Sequence, residues 1–178
     1  MSPDLYLRQR SAWNGFAFEF ADAAGTKVGT MGFANFAQAK NARLRVHPPG
    51  STAGDCHIQL GTERLLFRLE YTRRGFSNDV RYTLETPDGH LLCSADVVHE
   101  PGIRRPALRL SLPLQLEVLP TTTFWVKRFP IVNASGVEVG HVREPGAFTL
   151  RFEYGLSLPQ ASQPVQAFLL VAAYLVRR

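Results

Sequence analysis

The chain has 178 residues, of which 45% are hydrophobic and 20% charged, and its formal net charge at pH 7 is +5. A chain of this size and composition can bury one hydrophobic core, which excludes a disordered protein and gives no reason for a second domain. We therefore expect a single domain over residues 1–178, with strands at about 5–158 and a buried helix at about 165–176.

The amino-terminal segment and the cysteines bear on where the protein acts. Residues 1–15 are mixed and polar and do not resemble a cleaved secretion signal. The two thiols, Cys56 and Cys93, are too few for a disulfide scaffold and are not spaced like metal ligands. We expect a cytoplasmic protein, peripheral to a membrane if it binds lipid, with no cofactor and no metal.

An internal repeat is the most informative feature of the sequence. Three segments each contain an aromatic residue, a glycine seven positions later in a polar turn, and a strand-like stretch on either side. The segments are 18–31, 82–95 and 129–142, and their turn glycines are Gly25, Gly89 and Gly136. Glycine reaches the positive φ angles that tight turns need. Each segment therefore predicts a β-hairpin, with turns stabilised by Asp22, Asp88 and Asn133.

Further apolar segments predict additional strands at 44–46, 56–60, 65–71, 123–126 and 148–154. The clearest pattern lies between Leu108 and Val118, where every second residue is apolar. This alternation predicts that six side chains share one face of a sheet. Pro113 interrupts the run, and it predicts an edge strand or a bulge because proline cannot donate a ladder hydrogen bond.

Residues 165–176 read VQAFLLVAAYLV and predict a helix, with Pro164 near its start. At 1.5 Å per residue this helix would span about 18 Å, which is shorter than the roughly 30 Å hydrocarbon layer of a membrane. We therefore expect no transmembrane span. A helix that is apolar on all sides needs protein around it, and a closed barrel of roughly a dozen strands can supply it. The sequence thus predicts an all-β fold, an antiparallel β-barrel of roughly twelve strands that encloses a central hydrophobic α-helix.

The order of these elements resembles the tubby C-terminal-like superfamily, which includes tubby domains, phospholipid scramblases and plant LURP-one-related proteins. The resemblance covers residues from about 6 to 176 and rests on the strand–turn–glycine–strand units and the final hydrophobic helix. It implies a twelve-stranded barrel around a helix formed by residues 165–176. The cysteine-rich and acidic, calcium-associated segments of scramblases have no counterpart here, since residues 155–164 contain no carboxylate. The resemblance therefore implies the fold but not lipid scrambling.

Motifs that would indicate catalysis are largely missing from the sequence. The five histidines follow no metal-binding spacing, and no Gly-x-Ser-x-Gly elbow occurs. Asp55, Cys56 and His57 are reactive residue types side by side, but consecutive residues on a strand face opposite sides. We expect no catalytic residue and no metal site.

Six basic residues, which occur in pairs, are the candidate ligands for an anion. They are Arg73, Arg74, Arg104, Arg105, Lys127 and Arg128. They form no dense block of the kind that marks a nucleic-acid-binding tail, so we do not expect nucleic acid as a partner. A positive net charge favours anionic surfaces. We predict a non-enzymatic binding or adaptor domain that engages an anionic lipid headgroup or a protein partner through a basic surface.

Two other functions stay open at the level of sequence. A barrel of many strands could be a small-ligand carrier or an enzyme, with a deep pocket of convergent polar groups at its mouth. The chain could also be a structural subunit of a larger assembly. A helix that occupies the barrel lumen would count against the carrier and the enzyme.

Overall fold

The computed structural model of the protein describes residues 4–10, 17–34, 39, 55–74, 77–99, 106–120, 128–144 and 153–176. These residues form twelve strands and a carboxy-terminal helix. The strands are β1 (Leu5–Gln9), β2 (Ala17–Asp22), β3 (Lys27–Phe33), β4 (Cys56–Leu60), β5 (Glu63–Arg74), β6 (Ser77–Glu85), β7 (Leu91–Val98), β8 (Ala107–Leu112), β9 (Leu116–Val118), β10 (Arg128–Asn133), β11 (Glu138–Arg143) and β12 (Glu153–Ser157). The helix, α1, is Gln163–Val176. The strands predicted at 44–46 and 123–126 lie outside the described residues.

The twelve strands form one closed antiparallel barrel. Each strand pairs with its neighbours in sequence, and β12 returns to pair with β1. Leu7 of β1 accordingly has two cross-strand partners, Phe20 of β2 and Tyr154 of β12, and all three side chains are buried. Alternate residues along each strand face the lumen and the outer wall. The predicted twelve-stranded antiparallel barrel is confirmed.

The three repeated segments form the hairpins β2–β3, β6–β7 and β10–β11, as predicted. Their turn glycines have φ angles of 82°, 81° and 75°. All three hairpins also contain a bulge at the same place, with one extra residue in the second strand. The extra residues are Val28, Leu92 and Val139. Because these hairpins recur at every fourth strand around the ring, the barrel is built from three similar four-stranded units.

Side chains close the hairpin turns, though one of them is not the predicted residue. Asp22 Oδ1 accepts from the Thr26 amide at 2.8 Å, and Asn133 Oδ1 accepts from two turn amides at 3.0 Å. In the middle hairpin the acceptor is Thr86 Oγ1, at 3.1 Å from the His90 amide nitrogen. Asp88 accepts no turn hydrogen bond in the described structure. The prediction for Asp88 is wrong because Thr86, three residues before the glycine, occupies the position equivalent to Asp22 and Asn133.

The helix α1 lies inside the barrel. Every residue after its first turn is buried, and it contacts β1 and β12 on one side of the ring and β7 and β8 on the other. Phe168 packs against Phe67 of β5, with the ring centroids 5.5 Å apart. Tyr174 contacts Phe18 of β2 and Tyr154 of β12 at centroid distances of 4.9 and 5.8 Å. The predicted central helix is therefore confirmed.

The start of α1 is tied to the preceding turn. The helix begins at Gln163, two residues before the predicted start. The Nε2 amide of Gln166 donates to the carbonyl oxygens of Leu158 and Ala161 at 3.1 and 3.0 Å. Gln166, the one strongly polar residue of the segment 165–176, thus satisfies two backbone carbonyls of the turn that leads into the helix. Within the described residues, no helix has the length and hydropathy that a membrane crossing requires.

The apolar alternation of residues 108–118 does not form one strand. It is divided between β8 and β9, which pair with each other as a hairpin. An extra residue, Ser111, shifts the register of β8, and Leu112 and Leu114 are 39% and 42% exposed. The prediction that six side chains share one face is wrong, because the alternation continues through a turn. Pro113 follows a cis peptide bond in that turn, and the closed sheet has no edge strand. The residues that do face the lumen are Leu108, Leu110, Leu116 and Val118.

Candidate functional site

The two ends of the barrel differ in the connections between strands. At one end, which we call the tight-turn end, the connections have two to five residues; they are 23–26, 61–62, 86–90, 113–115, 134–137 and 158–162. At the other, the long-connection end, five of six connections have seven residues or more; they are 10–16, 34–55, 75–76, 99–106, 119–127 and 144–152. Because consecutive strands are antiparallel, the connections alternate between the two ends without exception.

The six predicted anion ligands all belong to the long-connection end by their place in the chain. Arg73 and Arg74 are the last residues of β5, and Arg128 is the first residue of β10. The other three lie outside the described residues, in connections that join strands at this end; they are Arg104, Arg105 and Lys127. The side chains of Arg73 and Arg74 are also outside the described part. Their role as anion ligands stays a prediction.

Charge is distributed unequally between the ends. The six connections of the long-connection end, together with residues 177–178, contain ten Lys or Arg and three Asp or Glu, a net charge of +7. The remainder of the chain contains ten Lys or Arg and twelve Asp or Glu, a net charge of −2. These values add to the +5 of the whole chain. The positive charge of the protein therefore belongs to segments attached at one end.

The described arginines of the outer wall are largely neutralised by ion pairs. Five of them contact a carboxylate on an adjacent strand: Arg8–Glu153, Arg68–Glu85, Arg81–Asp96, Arg109–Glu117 and Arg128–Glu138. Exposed pairs of this kind contribute only about 0–1 kcal/mol each to stability. Their effect is to leave little unbalanced charge along the middle of the wall.

A groove of about 670 Å³ on the outer wall lies over β10, β11 and β12. Its polar lining consists of Arg128, Glu138, His141, Arg143 and Ser157. Arg128 and Arg143 lie towards the long-connection end, since they begin β10 and end β11. The groove therefore brings one predicted ligand, Arg128, together with four residues that the sequence did not single out.

Two arginines that line this groove are neighbours on adjacent strands. Arg128 and Arg143 are Cα partners in the β10–β11 ladder, and like charges placed directly opposite destabilise a sheet. Arg128 forms an ion pair with Glu138, and its Nη2 lies 3.5 Å from His141 Nδ1. Arg143 has no ion-pair partner among the described residues. One guanidinium is thus compensated, and the other is left with its donors available.

His141 and Ser157 both line the groove and are Cα partners across β11 and β12. Burial lowers the pKa of His141, and the positive charge of Arg128 lowers it further, while Glu138 opposes the shift. The imidazole is therefore neutral near pH 7. Because the guanidinium of Arg128 can only donate, its contact with Nδ1 favours the tautomer of His141 in which Nδ1 accepts and the ring proton is on Nε2. Ser157 is 5% exposed.

No protein-family model matches this chain. No curated protein and no solved structure matches it either. A closed twelve-stranded barrel around a helix is consistent with the tubby-like fold that the sequence resembles. Membership of that superfamily stays a prediction.

The reactive residue types at positions 55–57 do not form a site. Cys56 points into the lumen and is buried, and burial raises the pKa of its thiol. His57, the next residue of β4, is exposed on the outer wall. This confirms the prediction that the two side chains do not meet. Cys93 is also buried and free, and the described residues contain no cluster of three or more metal-ligating side chains.

The lumen, where a carrier or a barrel enzyme would hold its ligand, is occupied by α1. Phe168, Leu169, Leu170 and Val171 of the helix are fully buried against the strands. The groove described above lies on the opposite face of the wall. This arrangement counts against a ligand site in the barrel interior. The outer wall and the long-connection end are therefore the candidate locations for a site.

Proposed function

We propose that this protein is a non-enzymatic binding domain whose long-connection end engages an anionic lipid surface. The observation that supports this most directly is the division of charge, with a net +7 in segments attached at one end and −2 in the rest of the chain. A protein polarised in this way is oriented as well as attracted by a negative surface.

The magnitude of the attraction is sufficient for peripheral binding. A Lys or Arg near an anionic leaflet contributes about 1 kcal/mol, and the effect decays within a Debye length of about 8 Å at physiological salt. Several such residues acting together would hold the barrel at the surface without any spanning segment. The paired arginines of the outer wall would add little because carboxylates already neutralise them.

The resemblance to tubby-like proteins agrees with this proposal, because tubby domains bind phosphoinositide headgroups with basic residues. We include the superfamily assignment in the proposal. An acidic protein partner would use the same charge, and the experiment below separates the two ligands by using lipid alone.

The test is flotation of the full chain with vesicles of neutral lipid, with and without an anionic lipid, at low and at physiological salt. We expect retention only with anionic vesicles and a loss of retention as salt rises. The double variant R73Q/R74Q removes two charges at the end of β5, which adjoin the long-connection end although they are not counted in its +7. It should weaken partitioning by about thirtyfold, at about 1 kcal/mol for each charge.

The matched control is the double variant K27Q/R64Q, which removes two exposed charges at the tight-turn end, where neither residue has an ion pair within the described structure. It should change partitioning by less than about twofold. Equal losses in the two double variants would show that orientation plays no part. Absence of retention on anionic vesicles at low salt would overturn the proposal.

A further inference from the structure

We propose that two copies of this chain associate through their tight-turn ends, with exposed apolar side chains of one copy packed against those of the other. The dimer is head-to-head, so its two basic ends point in opposite directions. The interface itself is independent of the proposed function. Its consequence, that one dimer holds two anionic surfaces together, rests on that function.

The first support is an apolar surface at the tight-turn end. The large hydrophobic side chains that are exposed among the described residues have exposures between 39% and 58%, and they are Leu91, Leu112, Leu114 and Val137. They lie in or beside the turns β6–β7, β8–β9 and β10–β11, all of which are at this end. Single exposed leucines are common on protein surfaces, but a group of apolar side chains at one end of a barrel indicates a binding surface.

The three turns that carry these side chains are neighbours. Strands β6 to β11 are consecutive in the barrel, so the turns follow one another around half of the ring. Leu112 of β8 pairs with Ser94 of β7, and Leu116 of β9 pairs with Asn133 of β10, which holds adjacent turns side by side. We call Leu91, Leu112, Leu114 and Val137 together the apolar crescent.

The second support is the low charge of this end. The six connections of the tight-turn end contain 23 residues, with one Asp, no Glu, no Lys and no Arg. Glu85 and Glu138, at strand ends beside the crescent, form ion pairs with arginines of the wall. The charges at the other strand ends of this side are of both signs and belong to Asp22, Lys27 and Glu63. A depletion of charge around an apolar centre is typical of homodimer interfaces.

The distribution of charge also decides which partner fits. In a two-fold dimer the same surface of each copy meets itself, so a net charge on that surface faces a like charge. Two long-connection ends, at +7 each, would repel each other, whereas the connections of two tight-turn ends bring together one carboxylate from each copy. A surface with so little charge offers no electrostatic attraction to an acidic or a basic protein. We therefore infer that the partner is a second copy of this chain.

The third support is the size of the end face. Twelve strands that are about 4.8 Å apart and tilted by about 40° form a ring with a radius of about 12 Å. With the side chains of the outer wall included, the end face covers about 800–900 Å². A stable interface takes about 800 Å² from each partner. The tight-turn end is therefore large enough for a dimer, and we expect a Kd on the order of 10 µM because the apolar centre is small.

The first test is sedimentation velocity of the full chain at concentrations from about 1 to 100 µM, which bracket the expected Kd. The mass should rise from that of one chain to that of two chains and no further. L114D places a carboxylate from each copy in the interface and should weaken association at least about thirtyfold. V137D, at the most exposed position of the crescent, should have a similar effect.

The matched control is H57D, which adds a carboxylate at an exposed position of the outer wall. His57 is the second residue of β4, close to the long-connection end and far along the strand from the tight turns. H57D should leave association within about twofold of the unmodified chain.

Melting temperatures separate a loss of the dimer from a loss of the fold. At about 1 µM, where the unmodified chain is mostly monomeric, L114D and V137D should melt at the same temperature as the unmodified chain. At higher concentration the Tm of the unmodified chain should increase, because a dimer stabilises the folded chain by mass action. The Tm of L114D should not change with concentration.

Cross-linking locates the interface. Cys56 and Cys93 are buried and free, and burial protects them, so a short bismaleimide should react with a cysteine that is introduced at the surface. We expect L114C to form a covalent dimer and H57C to remain a monomer.

Four results would overturn the proposal. The first is a monomer at about 100 µM. The second is a dimer that L114D and V137D leave intact, and the third is a covalent dimer with H57C but not with L114C, since both would place the interface elsewhere. The fourth is growth beyond the dimer that R73Q/R74Q abolishes, because it would mean head-to-tail association.

Vesicle clustering tests the consequence and separates this inference from the proposed function. The unmodified chain should cluster anionic vesicles, as measured by dynamic light scattering, whereas L114D should float with them without clustering. A dimer in solution with no flotation would overturn the proposed function alone. Flotation of a chain that does not dimerise would overturn this inference alone, and equal clustering by L114D and the unmodified chain would also overturn it.

Discussion

The inner and outer faces of the same twelve strands carry different kinds of side chain. Apart from Gln9, the buried side chains that face the lumen are apolar and form the core around α1, and no Asp, Glu, Lys or Arg of the described residues is buried. The outer wall has cross-strand ion pairs and three of the four buried polar residues, Thr83, Ser94 and Ser157. The comparison teaches that stability comes from the inner face, whereas the outer face is free to hold charges and hydroxyls.

The largest expected effect comes from a charge on the inner face. Leu170 is fully buried in the middle of α1. Leu170→Asp would place an unpaired carboxylate in the lumen and should cost about 5 kcal/mol or more, which is comparable to the whole stability of many domains. We expect an insoluble or non-cooperative protein, as measured by circular dichroism during heating.

Leu114→Asp is the matched control, because it makes the same change on a leucine that is 42% exposed in the β8–β9 turn. It should alter stability by less than about 0.5 kcal/mol. If the two variants melted alike, the distinction between the faces would not hold.

A smaller effect on stability is expected from substitutions in the hairpin turns. Asn133→Ala removes the acceptor of the Ser135 and Val137 amides and should destabilise the protein by about 1 kcal/mol. Asp88→Ala, in the equivalent turn of the middle hairpin, removes no such acceptor and should change stability by less than about 0.5 kcal/mol. Urea midpoints of the two variants measure the difference. Equal losses would mean that Asp88 supports its turn after all.

The smallest expected effect has the opposite sign. Thr83 Oγ1 is buried on the outer wall without a hydrogen-bond partner, so Thr83→Val, which has nearly the same shape, should stabilise the protein by up to about 1 kcal/mol. Thr30→Val on β3, at a position that is only partly buried, is the comparison and should be neutral within about 0.5 kcal/mol. A loss of stability in Thr83→Val would show that the hydroxyl is satisfied by water.

Much of the fold was predictable because it depends on short-range patterns. The aromatic residue, turn and glycine of each repeat specify a hairpin locally, and the apolar segment at 165–176 specifies a helix that cannot face water. The errors came where a pattern spans a turn. Residues 108–118 alternate as if they were one strand, yet a register shift at Ser111 and the reversal after it expose Leu112 and Leu114.

For the candidate site, only the positive sign of its charge was predictable from the sequence. Pairs of basic residues indicated an anion, but the sequence pointed to Arg128 and not to Arg143, His141 or Ser157. The spacing of His141 and Arg143 on alternate positions of β11 was the one available signal that they share a face. Nothing local relates either of them to Ser157, which is brought beside His141 by the pairing of β11 with β12.

The sequence by itself determined the hairpins, the apolar helix and the excess of positive charge. Turn chemistry and hydrophobic periodicity act over a few neighbouring residues, and net charge depends on composition alone. Only the tertiary structure decided that β12 closes on β1, that α1 lies in the lumen, and that the basic connections belong to one end. These features depend on contacts between residues far apart in the chain. The pairing of β10, β11 and β12 fixes which side chains become neighbours on this part of the wall, and it brings Arg128, Arg143 and Ser157 together in the groove.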